Sequence, residues 1–388
     1  MTARAAAAVL AALAALGSAA PASARAPLEV GIQDDPVFVR HPTAYGGTAT
    51  GRLVPRTTGI RAARRLRARV LKVNLIWKQV ALAPPDSGPG AYDWSYYDRA
   101  IDAARLHGLE PQVTLTGQAP GFATADGRPG YADPDPALYA RFAADAARHF
   151  AGRVRRWSIW NEPNWPTSLG PADRAAAIYR ELYRGGYAAV KAVDPGATVL
   201  FGELAPMGRP EAAIPPLEFL REVTCRTPSL APARDCEPLV ADGFAHHPYT
   251  LRWAPEFPGP GPDDVTTGSL DRLSRTLAAL ARRRALSLPD GRGLPVYLTE
   301  YGFHAESVRI REPLRSRYAV RGFEMALRHP RVRQVVWYQV FGPPPSRKRQ
   351  WDTAMLDLDG RPRPLFHALT RWLRMAEGAR LLVPAARR

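Results

Sequence analysis

Two glutamates follow apolar runs of the chain, where a carboxyl group could do chemistry. Glu162 lies in the segment WNEPN (160–164) and Glu300 in TEYG (299–302). A protonated carboxyl can give its proton to a leaving oxygen, while an ionised carboxylate can attack or stabilise the neighbouring carbon. Two carboxyls that face one scissile bond are what hydrolysis of a glycosidic bond requires, and mutual repulsion can push their pKa values apart. The pair is a candidate catalytic site if the fold brings both side chains together.

The elements that would position these glutamates alternate along the chain. Short β-branched or apolar runs predict eight strands, at 28–34, 70–77, 110–116, 154–161, 198–204, 240–247, 296–301 and 332–339. Runs with helical spacing, several with a proline at the first turn, predict eight helices, at 57–68, 95–106, 136–150, 171–193, 215–224, 268–285, 313–328 and 364–375.

This alternation favours a parallel sheet, and eight units favour closure into a (β/α)8 TIM barrel. An open doubly wound sheet is the alternative. In a barrel both glutamates would lie at the C-terminal ends of strands, on the face where barrel enzymes have their active sites. The longest predicted loops, at 81–93, 118–135, 250–267 and 342–360, follow strands and lie on that face too.

The N-terminus has the pattern of a secretory signal peptide. Arg4 precedes an apolar run at 5–16, and a stretch of small residues ends near Ala24 and Ala26, where we expect cleavage. The apolar run is shorter than the ~20 residues that a membrane-spanning helix needs, although an uncleaved anchor is the alternative. We therefore expect a signal peptide at 1–26, a barrel domain at 27–376, a loose C-terminal tail at 377–388, and a secreted, extracellular protein.

Composition excludes several classes of protein. The chain has 388 residues, 46% hydrophobic and 23% charged, which is too apolar for a disordered chain and too polar for a multi-span membrane protein. The net charge is +17, but the basic residues are spread along the whole chain, which favours an arginine-rich solvated surface over a nucleic-acid site. Affinity for acidic polymers at the cell surface is the alternative. No phosphate-binding glycine motif is present, and we expect no cofactor.

The two glutamate segments together resemble glycoside hydrolase clan A, and the closest resemblance is to families 39 and 5. The segment 246–249 (HHPY) resembles the clan's strand-six His-x-Tyr, and 336–339 (VWYQ) resembles its strand-eight aromatic. These motifs fall on strands four, six, seven and eight, so the resemblance spans most of the chain.

The resemblance implies a retaining glycosidase with Glu162 as general acid/base and Glu300 as nucleophile, their carboxyls about 5–5.5 Å apart. It implies four substrate-binding or positioning roles as well. Asn161 would hydrogen-bond the sugar 2-hydroxyl. Tyr249 would orient Glu300, and His247 would line the subsite next to it. Trp337 would form the floor of the subsite that holds the cleaved sugar.

Other interpretations of these residues stay open. A barrel that binds carbohydrate without cleaving it would carry the same motifs. His246 and His247 could form a metal pair, but no strand offers the spaced His/Asp set of a metal hydrolase, so we expect no metal. Four aromatics on the long loops are candidates for stacking on sugar rings: Phe122, Trp165, Trp253 and Trp351.

Three arginines after strands one, six and eight could bind an anionic glycan: Arg40, Arg252 and Arg347.

The two cysteines, Cys225 and Cys236, fall between predicted helix five and strand six. Export would favour their oxidation, and two cysteines allow a single pairing. We expect a structural disulfide on the face opposite the site, with two buried free thiols as the alternative.

Overall fold

The computed structural model describes residues 26–41, 54–88, 90–209, 213–305, 310–342 and 351–385. Residues 1–25, almost all of the predicted signal peptide, lie outside the described residues. In the described ranges, no helix combines the length and the hydropathy needed to cross a membrane.

Eight parallel strands close into a barrel, as the sequence predicts, with the first strand hydrogen-bonded to both the second and the eighth. The strands are Glu29–Gln33 (β1), Val70–Ile76 (β2), Glu110–Thr116 (β3), Arg156–Ile159 (β4), Thr198–Leu204 (β5), Gly243–His246 (β6), Val296–Tyr301 (β7) and Val332–Tyr338 (β8).

Eight longer helices follow these strands and surround the barrel: Arg56–Arg65 (α1), Ser95–Leu106 (α2), Pro136–His149 (α3), Ala175–Val193 (α4), Pro216–Val223 (α5), Leu270–Arg282 (α6), Glu312–Arg328 (α7) and Pro364–Gly378 (α8). Each buries one apolar stripe; α6, for example, buries leucines at 270, 273, 277 and 280. Proline at the first turn of α3, α5, α7 and α8 removes an N–H that would have had no helical partner.

The predicted sixth strand is divided in two. Leu239–Val240 pairs with Leu286–Ser287 in a separate small sheet, and the barrel strand β6 begins only at Gly243. Asp242, between the two pieces, donates its N–H to Val199 O and accepts from Val199 N through its carboxylate. These bonds attach the chain to β5 where it enters the barrel.

The expected loose tail is wrong for residues 381–383. Helix α8 continues to Gly378, and Leu28 then exchanges backbone hydrogen bonds of 3.0 Å with Leu381 and Val383. Leu382 is only 2% exposed. This segment covers the start of β1 at the N-terminal face of the barrel, so its apolar residues have a packing role.

Cys225 and Cys236 form a disulfide, with their Cα atoms 6.2 Å apart. The bridge lies in the connection between α5 and β6, hence on the barrel face opposite the C-terminal ends of the strands. Its position, remote from Glu162 and Glu300 along the barrel axis, indicates a structural role.

Replacing both cysteines by serine should lower the free energy of unfolding by about 2–3 kcal/mol, because an open connection gains chain entropy on unfolding. Thermal unfolding checks this effect, while turnover at moderate temperature should stay nearly unchanged. A large loss of turnover in a folded double variant would mean that this connection reaches the site.

Candidate active site

Glu162 is presented by a sharp turn at the end of β4. Trp160 and Glu162 both have positive φ, 64° and 45°, a region that non-glycine residues rarely adopt. The turn is held because the Trp160 indole donates to Ser168 O at 2.7 Å and the Glu162 N–H donates to Glu203 O at 2.9 Å. Backbone strain of this kind costs on the order of 1–3 kcal/mol and persists where surrounding contacts enforce it. Here it brings the Glu162 carboxylate over the barrel mouth.

Glu300 lies at the C-terminal end of β7 and is nearly buried, with 8% of its surface exposed. Lys72 Nζ lies 3.2 Å from its Oε1, and the Tyr249 hydroxyl donates to its Oε2 at 3.2 Å. A cation and a hydroxyl donor both favour the ionised form of a carboxyl. Tyr249 therefore contacts Glu300 directly.

His247 joins the two sides of the site. Its Nδ1 donates to Glu162 Oε1 at 2.9 Å and its Nε2 donates to Glu203 Oε2 at 2.7 Å. A neutral imidazole can donate from one nitrogen only, so two carboxylate partners require the imidazolium. Burial alone would lower the pKa of His247, but the charges and hydrogen bonds of Glu300, Glu162 and Glu203 raise it to about 9.

Glu203, at the end of β5, is a site residue that the sequence did not reveal. It is fully buried, and besides His247 it accepts hydrogen bonds from Thr299 at 2.8 Å and Thr114 at 3.3 Å, with Lys72 Nζ 3.2 Å away. Burial alone would raise the pKa of Glu203, but Lys72 and His247 hold it well below its usual value. Glu203 is therefore a permanent anion beneath the site.

A bulge explains why sequence alternation misses Glu203. Phe201 points outward and packs on Tyr179 and Tyr183 of α4, so strict alternation would turn Glu203 outward as well. Gly202 and Glu203 instead have φ of +115° and +51°, and the pairing of β5 with β6 shifts register there. This extra residue rotates the glutamate into the barrel.

Lys72 is the second missed residue, and here a signal exists. On β2 the residues Lys72 and Asn74 share one face, between the apolar Leu71, Val73 and Leu75 of the other. A lysine in a strand that is buried on both faces needs an anionic partner. Burial alone would lower its pKa, yet Glu203, Glu300 and Asp35 raise it.

Two further buried carboxyls lie at the end of β1. Asp34 accepts from the N–H groups of Val340 and Phe341 at 3.0 and 2.9 Å, which ties β1 to the chain after β8. Asp35 accepts from the Asn74 N–H at 2.9 Å. Burial raises the pKa of Asp34 to about 7 and that of Asp35 to about 6, against the opposing effect of these hydrogen bonds.

Asn161 precedes Glu162 at the mouth. Its side-chain oxygen is buried and accepts no hydrogen bond from the described part of the chain. A buried polar atom without a partner is costly unless a ligand or water completes it. In the segment 246–249, His246 precedes His247 and has a structural role, because its Nε2 bonds Val265 O at 2.7 Å and burial lowers its pKa to about 3.

Trp337 is not at the mouth, so its assignment as the floor of a sugar subsite is wrong. The residue is 1% exposed, its indole donates to Thr353 O at 3.0 Å, and its ring stacks on Phe323 of α7. Gln334 faces the barrel interior, where it bonds Gln112, so alternation turns Trp337 outward and Tyr338 inward. Burial raises the pKa of Tyr338 well above its ordinary value, and the charge of Glu300 raises it further.

The loop aromatics lie in different surroundings. Phe122 contacts the buried Trp77, and Trp253 packs at a tilt against Phe257. Trp165 and Trp351 line a cavity beside Glu162. Arg347, one of the arginines considered for anionic glycans, lies outside the described residues.

A metal ion would find one candidate set of donors among the described residues. An oxygen of Glu162, an oxygen of Glu300 and a ring nitrogen of His247 lie within 4.8 Å of one another. An imidazolium has no free lone pair, however, and both nitrogens of His247 already donate to carboxylates. The set suits organic acid–base chemistry better than metal coordination.

Comparisons with known proteins show the fold that this chain shares. No protein-family model matches it. Among solved structures, it superposes on a family 39 glycoside hydrolase from Bacteroides cellulosilyticus WH2 with a TM-score of 0.61 and 20% identity, over 90% of this chain and 64% of that one. A β-xylosidase from Caulobacter crescentus CB15 gives 0.59 and 20%, over 91% and 69%. The GH5_18 protein from Streptomyces cattleya, in complex with GlcNAc, gives 0.61 and 15%, over 94% and 83%.

One curated protein, a 6-phospho-beta-glucosidase from Dickeya chrysanthemi, is 23% identical over 131 residues. That match covers 32% of this chain and 28% of the relative, so the chain corresponds to a minor part of the relative's length. At these identities the comparisons show that the chain has the barrel fold of these solved structures.

Replacing Glu203 by glutamine should destabilise the protein by about 3–5 kcal/mol, because Lys72 and His247 lose the buried anion that both contact. Urea unfolding measures the change. The matched control is Glu237→Gln. Glu237 likewise pairs with a cation, Arg184, but its side chain is 75% exposed, so the loss of unfolding free energy should not exceed about 1 kcal/mol. Equal losses of unfolding free energy in the two variants would contradict a larger contribution of the buried network to stability.

The free energy of unfolding should fall between about pH 7.5 and 9.5. Above its ordinary pKa of 6.5 the unfolded chain releases the His247 proton, while the folded protein keeps it up to about pH 9. Its contribution is therefore complete below pH 6.5 and is lost as the pH rises through 9, at roughly 1.4 kcal/mol per unit of pKa difference. Asp34 and Asp35 titrate below this interval.

Urea unfolding at a series of pH values tests this pH dependence. His247→Gln should remove most of the slope, whereas His246→Gln should keep it, because His246 is neutral throughout the interval. A slope that survives in the His247 variant would assign the proton to another group.

Proposed function

We propose that this chain is a retaining glycoside hydrolase that cleaves O-glycosidic bonds of an oligo- or polysaccharide, with Glu162 as general acid/base and Glu300 as nucleophile. The observation that carries the proposal is the approach of the two carboxylates, whose facing oxygens lie within 4.8 Å of each other. Inverting enzymes need about 6.5–9.5 Å, since a water must fit between sugar and base. The shorter separation supports direct attack by a carboxylate.

The reaction has two displacements. Glu162 gives its proton to the glycosidic oxygen while a carboxylate oxygen of Glu300 attacks the anomeric carbon, so that the leaving group departs as an alcohol and a glycosyl ester forms on Glu300. Glu162, now ionised, takes a proton from water, and the resulting hydroxide equivalent cleaves the ester. The sugar leaves with its original anomeric configuration, and both carboxyls return to their starting states.

The surroundings suit these two roles. Lys72 and Tyr249 contact opposite oxygens of Glu300, which fixes the orientation of its carboxyl group. The unpartnered oxygen of Asn161, next to Glu162, can accept a hydrogen bond from the sugar 2-hydroxyl. The names of two similar proteins, β-xylosidase and 6-phospho-beta-glucosidase, make β-xylosides and β-glucosides, with and without a 6-phosphate, the first substrates to test.

Export of the enzyme is part of the proposal. The sequence pattern of the first 26 residues is typical of a cleaved signal peptide, and the Cys225–Cys236 disulfide fits an oxidising compartment. Mass spectrometry of the protein recovered from the culture medium should find an N-terminus after Ala24 or Ala26. Intact Met1 on cell-bound protein would indicate an anchor instead.

Replacing each of the two glutamates by alanine should reduce activity in a different way. Glu300→Ala should lose turnover by at least 10³-fold, and azide should restore it with inverted glycosyl azide as product, because azide enters the space of the nucleophile. Glu162→Ala should still react with a good aryl leaving group, since that step needs little acid assistance, and azide should then give retained product.

A panel of aryl glycosides with product stereochemistry by NMR measures both variants. Rescue with the opposite stereochemistry would exchange the two roles. Binding of glycans without any turnover by the wild type would favour a catalytically silent carbohydrate-binding barrel.

A further inference from the structure

A cavity of about 250 Å³ opens at the barrel mouth beside the proposed acid/base. Glu162 lines it, and Glu300 does not. The other walls come from the loops after β4, β5 and β6 and from Trp351, which follows β8. Because a general acid must reach the oxygen of the leaving group, the side of the site that belongs to Glu162 is where a leaving group would lie.

The walls of this cavity are mostly apolar. Trp165, Met207, Leu251 and Trp351 supply large apolar or aromatic surfaces, and Ala205 and Pro206 complete them. Tyr249 also lines the cavity, but its hydroxyl donates to Glu300. A sugar ring would bring several hydroxyl groups that need partners, and this lining leaves few to offer. A flat apolar ring would fit the same walls without that cost.

Arg209 is the basic residue that lines this cavity. The Arg209 guanidinium lies over the Trp165 ring, 5.2 Å from its centroid, and Arg209 is exposed. No carboxylate of the described residues lies within ion-pair distance of it, unlike Arg174 and Arg221, which pair with Asp133 and Asp263. Arg209 and Trp165 also line a second cavity of about 200 Å³. A guanidinium that lies over a ring face keeps its N–H donors in its own plane, available to an anion.

We propose that this cavity, defined by Glu162, Trp165, Met207, Arg209, Leu251 and Trp351, is a leaving-group subsite for an aromatic aglycone that carries a carboxylate. The aromatic ring lies against the apolar walls, and the carboxylate pairs with Arg209. The inference rests on the proposed function, because it assigns the leaving-group side from the role of Glu162. It assigns the class of substrate as an anionic aryl glycoside.

The test compares three substrates that share one sugar and anomeric configuration: a phenyl glycoside, a 4-carboxyphenyl glycoside and a glycosyl fluoride. Fluoride is a single-atom leaving group that cannot fill the cavity, so it reports the catalytic carboxyls alone. The variants are Arg209→Gln and Met207→Ala. The matched control is Arg65→Gln, since the exposed Arg65 guanidinium likewise lies over an aromatic ring, 4.6 Å from the Phe366 centroid, but lines neither this cavity nor the one shared with Trp165.

Arg209→Gln should lower kcat/KM for the carboxyphenyl glycoside about tenfold and for the phenyl glycoside less than about threefold, the range expected for a charge-assisted contact near the surface. Met207→Ala should lower kcat/KM for both aryl substrates about equally. Neither variant should change hydrolysis of the fluoride, and Arg65→Gln should change none of the three. The ratio between variant and wild type on each substrate cancels the intrinsic reactivity of the leaving groups.

Equal losses on the phenyl and carboxyphenyl substrates in Arg209→Gln would overturn the assignment of the carboxylate to Arg209. A parallel loss on the fluoride would show that the variant disturbs the catalytic carboxyls instead of a leaving-group contact. In either case, hydrolysis of the three substrates by the wild type would leave the proposed function standing. Failure of the wild type to cleave any of them, over the range of sugars tested, would contradict the proposed function itself.

Discussion

The rest of the site depends on the hydrogen bonds that the buried imidazolium of His247 makes to two carboxylates. While Glu162 is ionised, the ring donates to Glu162 on one side and to Glu203 on the other, and a neutral ring could donate to only one of them. Together with Lys72 it offsets three carboxylates that would otherwise repel one another in a region with little water. Two cations therefore face three carboxylates, and removing either cation leaves buried carboxylates uncompensated. The two proposed catalytic carboxyls are therefore held by one electrostatic unit built from β2, β4, β5, β7 and the residue that follows β6.

The backbone accepts strain to assemble that unit. Positive φ angles at Trp160, Glu162 and Glu203 lie at the ends of β4 and β5, which are neighbouring strands. The hydrogen bond from Glu162 N to Glu203 O connects the two strained segments directly. Barrel closure fixes where these strands end, and the local turns then determine which way the side chains point. Strain concentrated at the mouth is consistent with a site whose geometry matters more than its local stability.

The sequence predicted the barrel and the pair of glutamates because both depend on features that adjacent residues encode: alternation of strands with helices, and short motifs at strand ends. Glu203 was missed because a bulge after Phe201 reverses the alternation, and the pairing that creates the bulge is made by residues far away in the chain. Trp337 was placed wrongly by one position, since inward and outward faces differ by a single residue and only the contact of Gln334 with Gln112 fixes which is which. The tail was misjudged because its partner, Leu28, lies at the other end of the domain.

The central claim is that this electrostatic unit prepares Glu300 as the nucleophile of a double displacement. Incubation with activated 2-deoxy-2-fluoro glycosides, which slow the hydrolysis of a glycosyl ester, followed by peptide mass spectrometry, tests it most directly. The account predicts one sugar per protein, on the peptide that contains Glu300, and no labelling of Glu300→Gln. A sugar on Glu162 would contradict the assignment, and turnover of glycosides with inverted product and no covalent adduct would contradict the mechanism.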